Sequence, residues 1–133
     1  ALETGNCEAA EDFINRQLAD TISYYDYAEN FYHGFMLGLC ALLGGSFVSS
    51  NRESGDGRYD IQLKPTNKKL PGILIELKAA KGCSGTQLKK LSEKALQQII
   101  DKKYDTELSA AGIQTIYKYG VAFCGKKVEI SVQ

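Results

Sequence analysis

The chain has 133 residues, of which 44% are hydrophobic and 24% charged, with 16 Lys/Arg set against 16 Asp/Glu. That length carries one domain with a core of its own, and that composition excludes a disordered chain. The net charge of zero hides an asymmetry: residues 1–56 hold 2 Lys/Arg and 9 Asp/Glu, whereas residues 57–133 hold 14 and 7.

Residues 8–19 read as an acidic N-terminal helix and residues 24–43 as a second, longer one. In the second, Glu29, His33, Met36, Cys40 and Leu43 fall on a common side at 3.6 residues per turn. Glu29 heads this otherwise largely apolar stripe. A carboxylate turned inward is expensive without a partner, so Glu29 either joins a site or is solvated in an exposed first turn. His33, one turn on, is either a satisfied half-buried residue or a ligand. The longest apolar run, Phe35 to Val48, is fourteen residues and contains Gly38, Gly44 and Gly45. It is shorter than the roughly 20 residues of a membrane span and reads as a buried helix that stops at Gly44-Gly45. No membrane association is expected, no signal peptide is visible, and a cytoplasmic location is the expectation.

Strands are expected near 46–50, 58–63 and 72–79. Along 58–63, apolar Tyr59, Ile61 and Leu63 alternate with polar Arg58, Asp60 and Gln62, the period of a strand with one buried face. Gly72 to Ala80 is apolar almost throughout, as in a central strand covered on both sides, and only Glu76 and Lys78 interrupt it. Between these runs, residues 64–71 form a polar connection bracketed by Pro65 and Pro71 that suits a hairpin and would bring Asp60 beside Glu76. A helix over 87–103 follows, with Leu88, Leu91, Ala95 and Ile99 on one stripe. Gln98 lies about 20° from Leu91 on that helix and Gln97 about 120° away, so Gln98 sits at the edge of the stripe, facing the sheet. Strands 115–124 and 126–132 around Gly125 complete the order ααβββαββ. That order describes an α/β (α+β) domain.

Glu76 and Lys78, two apart on a strand, share a face with Cα atoms roughly 6.6 Å apart. Two adjacent carboxylates, Asp60 and Glu76, repel each other unless a cation joins them. Mg²⁺ prefers hard oxygen ligands and commonly uses one or two protein carboxylates together with substrate phosphate. A lysine beside such an ion can orient water or balance charge in the transition state. The chemistry is that of phosphodiester hydrolysis. The plainer alternative is a structural Glu76–Lys78 pair with Asp60 capping a turn.

The stretches Glu29-Asn30-Phe31-Tyr32-His33-Gly34-Phe35, Ser50-Asn51-Arg52-Glu53-Ser54-Gly55-Asp56-Gly57-Arg58-Tyr59-Asp60-Ile61 and Ile75-Glu76-Leu77-Lys78 carry a family resemblance. Ala95-Leu96-Gln97-Gln98-Ile99 with Lys103-Tyr104, and Gly120-Val121-Ala122-Phe123 ahead of Gly125-Lys126-Lys127-Val128, extend it to about residues 24–132. The chain resembles the PD-(D/E)XK nuclease superfamily, and more closely the nuclease-like domains at the C-terminus of bacterial proteins that begin with an AAA-ATPase-like domain. The resemblance implies a restriction-endonuclease-like core, a mixed sheet of four or five strands flanked by helices that the order ααβββαββ matches, and a metal-dependent deoxyribonuclease in which Asp60 and Glu76 ligate Mg²⁺, with Mn²⁺ as a substitute. It implies that Lys78 is the catalytic lysine, that Glu29 completes the acidic cluster, and that Gln98 is the helical glutamine beside the site. The carbonyl of Leu77 is a further candidate ligand. Tyr59 stands where the superfamily often has proline. Tyr104 follows Gln98 by six residues, not by the four seen in some relatives, and carries no assigned role. A hydrogen bond of purely structural purpose is the other reading of Gln98.

DNA is the expected substrate, with RNA left open; an AAA-ATPase-like domain is an expected partner, and a homo-oligomer is left open. A catalytically inactive binding module, or a regulatory module attached to an ATPase, is the alternative. Residues 1–133 read as a single domain, and the start at Ala1 fits a piece of a longer ATPase-containing protein or a processed product. Lys64, Lys68, Lys69, Lys81, Lys89, Lys90, Lys94, Lys102 and Lys103 either meet phosphates or solvate helix and loop faces. Cys7, Cys40, Cys83 and Cys124 lack the close pairs of a zinc site and read as reduced thiols.

Overall fold

The computed structural model describes residues 5–21, 29–42, 46–50, 53–54, 57–58 and 60–133, with side chains described over 5–16, 32–42 and 60–133. The elements run α1 (Cys7–Thr21), α2 (Glu29–Ala41), β1 (Ser46–Ser50), β2 (Glu53–Ser54), β3 (Gly57–Arg58), β4 (Ile61–Pro65), β5 (Gly72–Ala80), α3 (Gly85–Asp101), α4 (Thr106–Ala110), β6 (Ile116–Cys124) and β7 (Lys127–Val132). Five strands form one sheet in the order β1-β4-β5-β6-β7, and β2 pairs with β3 separately. Neighbours are antiparallel except β5 and β6. That parallel pair needs a crossover, which α3 and α4 supply. The result is the expected α+β architecture, a mixed sheet flanked by helices. No described helix is long and apolar enough to cross a membrane.

β5 is the centre of the sheet because its residues are apolar on both faces. Ile73, Ile75 and Leu77 join Ile61, Leu63, Tyr119, Val121 and Phe123 in a core with Ala10 and Ile14 of α1 and Tyr32, Met36 and Cys40 of α2. On the opposite face, Leu74 packs with Ile99, Tyr104, Leu108 and Ile113. Alternation then puts Glu76 and Lys78 on the face of Leu74, beneath α3. The buried line of α2 is Tyr32, Met36 and Cys40, with His33 half-buried on its flank. Tyr32 stacks on Phe123 with ring centroids 4.4 Å apart, and its hydroxyl donates to the Gly125 carbonyl at 2.7 Å. Leu43 and residues 24–28 of the expected second helix lie outside the described residues.

The hairpin expected between Asp60 and Glu76 forms, with Ile61 opposite Ile75. The single strand expected over 58–63 is split: Gly57 and Arg58 belong to the β2–β3 pair, and the sheet strand begins at Ile61. Asp60 is a bend whose side chain, not its backbone, bonds β5. The polar face of this strand is not solvated either, because Gln62 is 1% exposed beneath the crossover helices.

α3 starts two residues before its expected position, because a capping box and not the first apolar residue sets its N-terminus. The Ser84 hydroxyl accepts from the Gln87 N–H, and the Gln87 side chain accepts from the Ser84 N–H, satisfying two orphan donors at once. Ser92, not Leu91, shares the buried line of α3 with Leu88, Ala95 and Ile99. The reason is Gly120 on β6, where a Cβ would collide with the Ser92 carbonyl and the Leu96 amide. Helix backbone touches strand backbone there, so only a small side chain fits between. The helix ends in a Schellman turn: the Tyr104 N–H reaches the Ile99 carbonyl at 3.2 Å and the Lys103 N–H the Ile100 carbonyl at 3.3 Å. Lys103 holds the left-handed position of that turn, φ 54°, which glycine usually takes. α4 was not expected from the sequence; its five residues bury only Leu108.

α1 covers the outer edge of β7. Glu11 accepts from the Ile130 N–H at 2.7 Å, Asn15 from the Val128 N–H at 3.0 Å, and the Cys7 thiol donates to the Ile130 carbonyl at 2.8 Å. Side chains of a helix thus take the bonds another strand would make, protecting an edge that would otherwise template association. Burial and the neighbouring Glu11 carboxylate push the Cys7 thiol up to about 11, which keeps it protonated as the donor.

Candidate active site

β5 delivers two of the charged groups. Glu76 is 5% exposed and Lys78 half-buried, on the face covered by α3. The β4–β5 ladder ends at the Ile61–Ile75 pair, and Asp60, the residue just before it, lies beside the Glu76-Leu77 peptide. Asp60 Oδ2 accepts from the Leu77 N–H at 2.8 Å, replacing the ladder bond that β4 no longer makes. The N–H and C=O of one strand residue face the same neighbour, so the Leu77 carbonyl points toward the Asp60 side of β5. The Asp60 carboxylate thereby meets the consecutive residues Glu76 and Leu77 at the hairpin, with Lys78 one strand period beyond Glu76.

α3 supplies the fourth side chain. Gln98 faces the sheet, its amide donating to Glu76 Oε1 at 3.2 Å and to the Tyr104 hydroxyl at 3.1 Å. An amide nitrogen has two hydrogens, and both are used. The orientation of the Gln98 amide is therefore set by Tyr104, and a donor faces the buried carboxylate, whose burial would be costly without one. Tyr104 is itself 3% exposed. It reaches Gln98 six residues away because the Schellman turn at Lys103 folds the chain back under the last turn of α3. Its place beside Gln98 escaped the sequence reading, which looked for helical spacing; the αL residue that produces the reversal is a lysine and carries no glycine signal. Replacing Tyr104 with phenylalanine is expected to cost ~1 kcal/mol, the worth of one hydrogen bond, read as a Tm lowered by about 4 °C.

Gln62 is the second residue the sequence reading passed over. It lies two residues after Asp60 on the same face; its Nε2 approaches Glu107 Oε2 at 3.5 Å and its buried Oε1 has no hydrogen-bond partner among the described residues. Alternation had placed it beside Asp60, but period two does not tell a solvated face from one covered by a helix.

Glu29 begins α2, and its side chain lies outside the described residues, so it is neither brought to the site nor removed from it. Tyr59 is outside them too. Among the described residues no three His, Cys, Asp or Glu side chains gather as a metal-holding group. Asp60, Glu76 and the Leu77 carbonyl nonetheless offer hard oxygen donors of the kind Mg²⁺ takes with only one or two carboxylates. Of the surrounding cations, Lys118 is engaged with Asp105 at 3.4 Å, while Lys81, Lys89, Lys90 and Lys94 are exposed near or along the first half of α3.

Residues 27–133 match the family model of the PD-(D/E)XK nuclease superfamily. The chain belongs to that superfamily. No curated protein and no solved structure matches it. α1 precedes the matched region.

Proposed function

We propose that the chain is a metal-dependent deoxyribonuclease domain. The observation that supports this reading best is the hairpin of β4 and β5, which sets Asp60 against the Glu76-Leu77 peptide with Lys78 on the face of Glu76. Asp60, Glu76 and the Leu77 carbonyl would hold the metal, with Glu29 completing the acidic set. A bound divalent ion, Mg²⁺ or Mn²⁺ in its stead, would polarise a phosphoryl oxygen and acidify water. Lys78 orients the attacking water and offsets negative charge that develops on the phosphate. Gln98, steadied by Tyr104, holds the Glu76 carboxylate in one orientation. Exposed lysines of the basic half of the chain meet phosphates without reading sequence. RNA phosphodiesters are the second substrate class this chemistry admits.

Residues 1–133 form one nuclease domain in this reading, working beside an AAA-ATPase-like domain. Four free cysteines suit a reducing compartment such as the bacterial cytoplasm. A homo-oligomer is compatible with the reading and is not needed by it. The test is cleavage of linear, circular and branched DNA with Mg²⁺ or Mn²⁺ by the wild type, Asp60→Ala and Lys78→Ala. Cleavage by the wild type, lost about 10²-fold or more in each variant, is expected. Equal rates in all three would point to contamination and end the catalytic assignment, whereas binding without cutting by the wild type would make the domain a nucleic-acid-binding module.

A further inference from the structure

Cys83 and Cys124 are far apart in sequence and meet beyond the end of β5. Ala80 and Cys124 are the last pair of the β5–β6 ladder. The chain then turns through Gly82, φ +65°, and brings the Cys83 N–H to within 3.3 Å of Cys124 Sγ. The Cys83 thiol itself rests 3.9 Å from the Lys81 carbonyl. Both cysteines are free and half-exposed, unlike Cys40, which is 1% exposed.

We infer that Cys83 and Cys124 form a redox-modification site, a dithiol that closes to a disulfide when a peroxide reaches it. One thiol takes an oxygen from hydrogen peroxide, giving a sulfenic acid and one water. The other thiol attacks that sulfur, the S–S bond forms, and the hydroxyl leaves with the second proton as another water. Two thiols are oxidised and one peroxide is reduced. A sulfenic acid with a second thiol beside it follows this route in preference to further oxidation. Disulfide geometry needs Cα atoms about 4.4–6.8 Å apart; the contact of the Cys83 N–H with Cys124 Sγ at 3.3 Å brings the two residues close, and closing the bridge requires the Cys83 thiol to leave the Lys81 carbonyl. The bridge would pin the segment between Lys78 and the Ser84 cap of α3 to the end of β6. It would thereby join the strand of the site lysine to the helix that carries Gln98 by a covalent clip enclosing a loop of roughly 40 residues.

The experiment oxidises fully reduced wild-type protein with hydrogen peroxide, alkylates the remaining thiols, and maps the peptides without reduction. The expected result is loss of the mass of two hydrogen atoms, one cross-linked peptide joining Cys83 to Cys124, and a Tm raised by roughly 10 °C that dithiothreitol reverses. Cys83→Ser and Cys124→Ser, both at half-exposed positions, should lose the cross-link and the Tm rise together. Sulfinic or sulfonic acids at Cys83 or Cys124, a cross-link through other cysteines or between molecules, or unchanged mass would each overturn the assignment. Because the mapping is done on the wild type, a variant that folds badly does not blunt the test.

Discussion

Glu76→Gln is expected to lower metal-dependent cleavage by about 10³-fold or more while leaving the fold intact or slightly more stable. The glutamine has the same shape, and its side-chain oxygen can still accept from Gln98 Nε2, which now bonds Glu76 Oε1 at 3.2 Å. What disappears is a negative charge held at 5% exposure. Removing a buried charge relieves desolvation, so the Tm should hold or rise. In the proposed site the same change would deprive a divalent ion of one of its carboxylates and, with it, transition-state stabilisation worth several kcal/mol, about 4 kcal/mol for a 10³-fold loss. Cleavage assays and thermal shifts with Mg²⁺ check both halves. Saturating Mg²⁺ should raise the wild-type Tm, since a ligand at 100 times its Kd adds about 2.7 kcal/mol, and should leave Glu76→Gln unmoved. A variant that cuts at the wild-type rate would remove Glu76 from the metal site.

Gly120→Ala is expected to be strongly destabilising, since Gly120 is the tightest glycine among those described. A Cβ there would overlap the Ser92 carbonyl and the Leu96 amide and lie 3.0 Å from Leu96 Cα. These are backbone atoms, and backbone does not swing aside as the tip of a side chain does. α3 must lift from β6 as a body, opening the contacts of Ser92 and Ala95 and lengthening the Gln98–Glu76 bond. Overpacking of this kind costs typically 1–3 kcal/mol and sometimes more. For a chain of this length that is a Tm loss of roughly 10 °C, with cleavage falling even at temperatures where the variant is folded. Gly38→Ala is the control: nothing lies within 4 Å of a Cβ at that helical position, and alanine should add about 0.5–1 kcal/mol. A Tm for Gly120→Ala within a degree or two of wild type would mean that α3 and β6 are not in backbone contact at Gly120.

What could be read before the structure depended on how local the governing physics is. β5 was legible because a nearly continuous apolar run admits only a doubly covered strand, and Gln98 because an angle on a helix follows from counting. The hairpin that opposes Asp60 to Glu76 was legible from its proline-bracketed connection. The start of α3 was also written in the chain, as Ser84-Gly85-Thr86-Gln87, but its signal is a pair of hydrogen bonds and not a hydrophobic period. Tyr104 was not legible: a chain reversal on a left-handed lysine obeys tertiary packing, not propensity. α4 is too short to show a period, and the burial of Gln62 depends on a helix that arrives more than twenty residues later. The place of Asn15 and Glu11 on β7 could not be read from α1 alone, since nothing in a helix names the strand it will cover.

The way α1 serves β7 sets a limit on how that edge can evolve. Four residues of helix advance ~6.0 Å and two of an antiparallel strand ~6.8 Å, so the two repeats drift apart by roughly 0.8 Å with each bond. Over the interval from Ile130 to Val128, matched by Glu11 and Asn15, the drift is absorbed in side-chain rotation. Over two further steps it would exceed the tolerance of a hydrogen bond, and a helical side chain would arrive between amides instead of on one. A longer β7 would therefore outrun its cover however far α1 were extended, leaving bare amides for a neighbouring molecule to pair with. The hairpin that ends this sheet is held short by the arithmetic of two incommensurate spirals.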